Sequence, residues 1–377
     1  MWSEAHMRCW RAIMVVLVSV LAVMWQGCGG NGGGTGGGRY GNSGGNTATY
    51  LLYTDATANT IGVAAIGTSG ALTVMAPAQT GLQPIGMAAT PDGKFVYVLN
   101  ANSGTVSQFA VAADGSLTQP ASAIGTGLQP TAIAVDPQER FAVVANTNSG
   151  AGGTLSVYNI NSTTGILTLA STSATLLNIA DPKTVAISGN YVYVADADTI
   201  DVLVFNPQTF AFTFASGSPF SAGPAGTSIT GLYSPPQAST VLYAADGNTN
   251  SLLSFSISGG ALQATGSLPT GTQPVALVAD NQNRFLFVAN SVSDNISVFA
   301  VNATTGALTA ASTTALTTGT APNALAYDPV NNFLIISESG TKQILPLAVN
   351  TSTGGLSTLS GSMAVTNSPS ALAVAQP

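Results

Sequence analysis

The sequence predicts an all-β fold, a seven-bladed β-propeller, on three observations. First, an aromatic or aliphatic anchor recurs as YLLYTD, FVYVLN, FAVVAN, YVYVAD, VLYAAD, FLFVAN and FLIISE, starting at Tyr50, Phe95, Phe141, Tyr191, Val241, Phe285 and Phe333. The mean spacing of about 47 residues lies in the range of four-stranded propeller blades, roughly 40–50 residues. Second, residues 47–377 are short β-branched or aromatic runs separated by Gly, Asn, Asp and Pro, with no sustained helical period. Third, the chain enters on the second strand of a blade, 49–54, and leaves on a first strand, 370–375. Each end supplies what the other lacks, so the C-terminal strand is expected to lie innermost in the blade whose outer three strands come from residues 49–78.

In chain order, residues 1–27 read as an export signal. Arg8 and Arg11 precede the apolar run from Ala12 to Met24, which is too short to span a bilayer as a helix. Gly27 before Cys28 resembles the lipobox of bacterial lipoproteins, although Trp25 stands where Leu is usual, and Cys28 is the expected lipidation site. Cys9 leaves with the signal, so no disulfide is expected. Gly29 rather than Asp follows Cys28, which in a diderm host points to an exported, outer-membrane-anchored lipoprotein facing the periplasm or the cell surface. Residues 28–48 contain GGNGGGTGGGRYGNSGGN, a flexible tether without the flanking strand and helix of a phosphate loop.

The domain 49–377 then repeats one unit. An apolar first strand opened by Pro, as in QPTAIAVDP (129–137), QPVALVADN (273–281) and APNALAYDP (321–329), precedes the anchor strand. A third strand such as TLSVYNI (154–160) and a fourth such as GILTLAS (165–171) follow. Ala is frequent in the first strand because it faces the crowded axis. The repeat with TSITGLYSP (227–235) is the least regular, since it lacks the opening Pro and its SPPQAST turn is long.

Composition excludes more chemistry than it suggests. With 8 Lys plus Arg against 15 Asp plus Glu, no basic surface exists to neutralise a phosphate backbone, and nucleic acid is excluded as a partner. His6, Cys9, Cys28, Trp2, Trp10 and Trp25 all precede residue 29. The domain therefore has no Ser-His-Asp triad, no Cys nucleophile and no His- or Cys-ligated metal. Carboxylates, hydroxyls, amides, Tyr and a few cations remain.

The FVYVLN, YVYVAD and FLFVAN cores, the VSQF, LLSF and ISVF strands after them, and the TG-x-x-P openings at 80–84, 126–130, 270–274 and 318–322 resemble the YVTN-type repeat. They also resemble lactonase-type, 6-phosphogluconolactonase-like seven-bladed propellers. The resemblance implies that His or Arg would follow the opening Pro at the channel mouth. The corresponding residues are Ile85, Thr131, Lys183, Ile229, Val275, Asn323 and Ser370, of which only Lys183 is charged. Lactone hydrolysis needs a base for water and a group for the developing oxyanion. Lys183 with Asp181, and Glu338, are the candidates.

A second polar set ends the anchor strands: Asp55, Asn100, Asn146, Asp196, Asp246, Asn290 and Glu338. Short Asx side chains there are expected to bond turn amides, and Glu338 breaks that rule. Asp196, Asp198 and Asp201 are the residues a Ca²⁺ would take, but the run lacks EF-hand spacing, so an exposed acidic loop and no cofactor are expected. Loops carrying Gln83, Gln129, Thr227, Gln273 and Asn323, together with Lys183, Ser370 and the second set, are expected to share one face and to line any ligand site. The reading from residues is a monomeric, membrane-tethered binding module for a small polar ligand or a cell-envelope protein or glycan. A lactone hydrolase with carboxylate-activated water is the alternative, and a structural surface or adhesion protein a lesser one.

Overall fold

The structure, a computed structural model, describes residues 48–377 apart from 148–151, 171–178, 180, 225, 236–239 and 312–318. The signal, Cys28 and nearly all of the tether lie outside these residues. Seven antiparallel sheets follow one another, each built on four strands, and the innermost strand of each contacts that of the next all the way round. Blade 1 is closed as expected: Thr49–Asp55, Thr60–Ile66 and Leu72–Val74 form its outer part and Leu372–Ala375 its inner strand. The inner strands of blades 2 to 7 are Pro84–Ala89, Pro130–Val135, Thr184–Ser188, Ile229–Tyr233, Pro274–Ala279 and Pro322–Asp328. Their anchor strands are Phe95–Asn100, Phe141–Asn146, Tyr191–Ala195, Val241–Asp246, Phe285–Asn290 and Phe333–Glu338.

Burial explains why the anchors were so regular. Neighbouring blades cover both faces of the inner and anchor strands, and all six residues of FVYVLN, FAVVAN, VLYAAD, FLFVAN and FLIISE are buried. The outermost strands, such as Leu167–Leu169 and Leu308–Ala310, are largely exposed because the blades diverge towards the rim. Glycines in the turns between third and fourth strands let blades approach. Gly165 (φ +70°) lies over the Phe95 ring of the preceding blade, where a Cβ would overlap it. Tyr97 of that same preceding blade donates to the Gly165 carbonyl at 2.8 Å, so the contact is both apolar and hydrogen-bonded.

The fourth strand is more broken than the sequence suggests. In blades 1, 2, 4 and 7 the chain leaves the third strand and returns to it as a two-residue piece: Ala78–Gln79, Ile124–Gly125, Phe220–Ser221 and Met363–Ala364. Pro77, Pro120 and Pro219 sit in the first three of these breaks, where a missing N–H cannot join a ladder. Blade 5, without such a proline, keeps one continuous strand, Ala261–Pro269.

Closure rests on Thr54. The register pairs Tyr50 with Ala375, Leu51 with Val374, Leu52 with Ala373 and Tyr53 with Leu372. The buried Thr54 Oγ1 accepts from the amides of Ser370 (3.1 Å) and Ala371 (3.0 Å), and the Thr54 amide donates to the Ala371 carbonyl (3.2 Å). Thr54→Val leaves two amides without their acceptor, and chemical denaturation is expected to show a loss of about 1–3 kcal/mol.

Candidate functional site

One edge of the ring carries every candidate, because inner strands begin and anchor strands end there. Pro84 pairs with Asn100, Pro130 with Asn146, Pro274 with Asn290 and Pro322 with Glu338. In blades 2, 3, 5, 6 and 7 the ladder slips by one residue immediately after this pair, so Ile85, Thr131, Thr230, Val275 and Asn323 are bulged out of register. A bulge re-aims its side chain, here away from the blade's own ladder.

Three of these bulged residues tie one blade to the next. Thr131 Oγ1 donates to the Pro182 carbonyl of the next blade (2.8 Å), Thr230 Oγ1 to the Pro274 carbonyl (2.7 Å) and Asn323 Nδ2 to the Pro369 carbonyl (2.7 Å). Ser370 repeats the contact more loosely, 3.4 Å from the Pro84 carbonyl. Asn323 and Ser370 thus act as blade-to-blade latches, and so do Thr131 and Thr230. Blade 5 corrects the sequence register: Ile229 takes the place of the opening Pro, so the mouth residue is Thr230. Thr227 is buried, with its hydroxyl on the Pro224 carbonyl (2.8 Å), and Ser228 occupies the loop place that Gln83, Gln129 and Gln273 hold elsewhere.

Those three glutamines are exposed and adopt φ of +55°, +51° and +56°. Side-chain acceptors hold the loops in this shape. Asn59 Oδ1 takes the Gln83 amide (2.8 Å) and Asn250 Oδ1 takes the Gln273 amide (2.7 Å).

The second polar set is structural in its contacts. Asp55 accepts the Thr57 and Ala58 amides, Asp196 the Thr199 amide, and Asp246 the Ser228, Asn248 and Thr249 amides, as expected for Asx turns. The asparagines behave differently. Asn100, Asn146 and Asn290 donate Nδ2 to Ser107, Ser156 and Ser297 at 3.0, 3.1 and 2.9 Å, and each serine also accepts the amide of Gly81, Gly127 or Gly271 at 3.1 Å. This explains the glycine of TG-x-x-P, since a Cβ there would overlap the asparagine.

Glu338 is fully buried, with Oε2 accepting from Thr341 (2.7 Å) and Gln343 (2.6 Å), and Oε1 is without a donor among the described residues. It stands three blades from Lys183, and the structure does not bring the two together. Lys183 and Asp181 do meet, at 2.5 Å, with side chains 43% and 52% exposed. They form the accessible cation–carboxylate pair of this edge. Asp198 is exposed, whereas Asp201 is buried and accepts from Ser218 (3.2 Å). No group of three or more acidic, His or Cys side chains among the described residues is placed to hold a metal ion, so Asp196, Asp198 and Asp201 do not form a Ca²⁺ cage. Sequence reasoning missed Lys342 and Asp294 on this edge, which stand at the positive-φ place before the third strand that Asn59 and Asn250 hold in other blades.

The fold matches a known family. The model of the lactonase, 7-bladed beta-propeller family matches residues 50–174 and 189–317, and the chain belongs to that family. The periplasmic gluconolactonase of Pseudomonas aeruginosa superposes with a TM-score of 0.71 at 21% identity, over 88% of this chain and 100% of that one. A candidate 6-phosphogluconolactonase from Bacteroides uniformis gives 0.71 at 21%, over 87% and 99%. A Lactobacillus plantarum protein gives 0.71 at 18%, over 87% and 99%. At these identities the superpositions establish the fold. No curated protein sequence is detectably similar.

Asp201 supplies a pH test of this edge. Burial, helped by the neighbouring Asp196 charge and opposed by the Ser218 donor, raises its carboxyl above the ordinary aspartate value. The folded state then binds more protons than the unfolded one between the two values, so stability falls as pH rises through that window. Asp201→Asn is expected to raise Tm at neutral pH and to flatten the dependence of Tm on pH just above the ordinary aspartate value, the window in which the wild-type carboxyl loses its proton.

Proposed function

We propose that the protein is a lactonase-type hydrolase acting at the edge where Lys183 and Asp181 lie. The supporting observation is the pairing of family membership with the half-exposed Lys183–Asp181 ion pair at the mouth position of blade 4. In this reading Asp181 takes a proton from water as the water oxygen attacks the lactone carbonyl. Lys183 stabilises the developing oxyanion, and as the ring C–O bond breaks Asp181 returns the proton to the departing ring oxygen, giving a hydroxy acid. Glu338 is set aside because it has no exposed surface. The latches offer a second reading, since four mouth positions serve ring closure and a non-catalytic binding module needs nothing more from them.

Proton release from neutral aldonolactones, corrected for spontaneous hydrolysis, decides between the two. Saturable turnover by the full-length protein is expected, with Lys183→Met lowering kcat/KM at least tenfold and Asp181→Asn at least a hundredfold, Tm being unchanged. General-base loss of that size is typical, about 10²–10⁴. Turnover untouched by both variants would remove the assignment.

We also propose export and lipid anchoring through Cys28, supported by the charged, apolar and Gly27-Cys28 order of the leader. Labelled palmitate is expected in the wild-type chain and absent from Cys28→Ser, which should leave the membrane fraction.

A further inference from the structure

Resting on the lactonase reading, we infer that this edge selects uncharged lactones and turns phosphorylated ones away. Three independent features of the described residues lead there.

The first is charge. The loops at this edge carry Asp55, Asp181, Asp196, Asp198, Asp246, Asp294 and Glu338 against Lys183 and Lys342, seven carboxylates to two lysines. Lys183 is already paired with Asp181.

The second is where the arginines went. Arg140 and Arg284 lie in the turns between inner and anchor strands, at the opposite edge. There Asp136 clamps Arg140 at 2.7 Å and Asp280 clamps Arg284 at 3.1 Å. Neither fork can reach a phosphate at the mouth, although Arg is the side chain best matched to that group.

The third concerns backbone donors, which can bind phosphate without any cation. In the TG-x-x-P loop of blade 2 the amides of Gly81, Leu82 and Gln83 are taken by Ser107, Ser103 and Asn59. Blade 6 repeats this with Gly271, Thr272 and Gln273 on Ser297, Ser293 and Asn250. In blade 7 the Ala321 amide goes to Asp294 at 2.6 Å. In the blade 2 and blade 6 loops these amides are all spoken for, so neither loop can serve as an anion cradle.

A phosphate dianion would therefore meet net negative charge, no arginine fork among the described residues of this edge, and loops in blades 2 and 6 whose amides are already bonded. An uncharged polyol lactone meets no such penalty, and the exposed Gln83, Gln129 and Gln273 side chains offer it hydrogen bonds.

The test compares glucono-1,5-lactone with its 6-phosphate on the full-length protein. At about 0.15 M salt, kcat/KM is expected to be at least tenfold higher for the neutral substrate. The gap should narrow as salt rises, because screening shortens the reach of the repulsion below about 8 Å. Asp198→Lys, at an exposed residue that takes no part in the chemistry, should raise only the phosphorylated rate. Equal or faster turnover of the phosphorylated lactone overturns the inference while leaving the lactonase reading intact. Turnover of neither overturns the lactonase reading, and titration calorimetry with inorganic phosphate and glucose 6-phosphate then decides the inference. Binding weaker than about 10 mM sustains phosphate exclusion, and binding tighter than about 1 mM overturns it.

Discussion

Pairing of Leu372–Ala375 with Thr49–Asp55 is the constraint on which the rest depends. Each blade buries its anchor strand only because a neighbour covers it, so an open array would expose one bare blade face at each end and two unpaired strand edges. Joining the ends converts seven marginal sheets into one ring with contacts from every inner strand to the next. The buried Thr54 hydroxyl shows how closely the join is specified, since it takes two amides of the incoming strand and leaves none of its own groups idle.

The same economy governs the edge where chemistry is sought. A one-residue slip at the start of the inner strand in blades 2, 3, 5, 6 and 7 frees a side chain from the ladder, and the family resemblance places cationic groups at this mouth position. In this chain Thr131, Thr230, Asn323 and Ser370 at those places reach instead for the Pro carbonyl of the following blade. Blade 4 differs, for Lys183 points no donor at a following Pro and keeps its charge for Asp181.

Much of this was legible from residues alone. The seven blades, their four-strand makeup and the mode of closure follow from anchors such as FVYVLN and FLFVAN, whose period is imposed by burial on both faces. Breaks in the fourth strands were marked by Pro77, Pro120 and Pro219 but need the partner strand to be interpreted. Blade 5 was misread by one residue, because without Pro nothing in TSITG marks the bulge. The latches were invisible for a stronger reason: the acceptor of Thr230 is a carbonyl 44 residues further on, in another sheet. Glu338 was correctly picked out as unlike its Asx counterparts, yet only packing reveals that its carboxylate is sealed from solvent.

Native-state hydrogen exchange tests the central claim most directly. If strand 372–375 closes the ring, the amides of its pairs with Tyr50–Tyr53 exchange only on global opening, with the same free energy as the inner strands of blades 3 and 6. Exchange of residues 372–375 many times faster than those inner strands would contradict closure as the constraint that holds the fold.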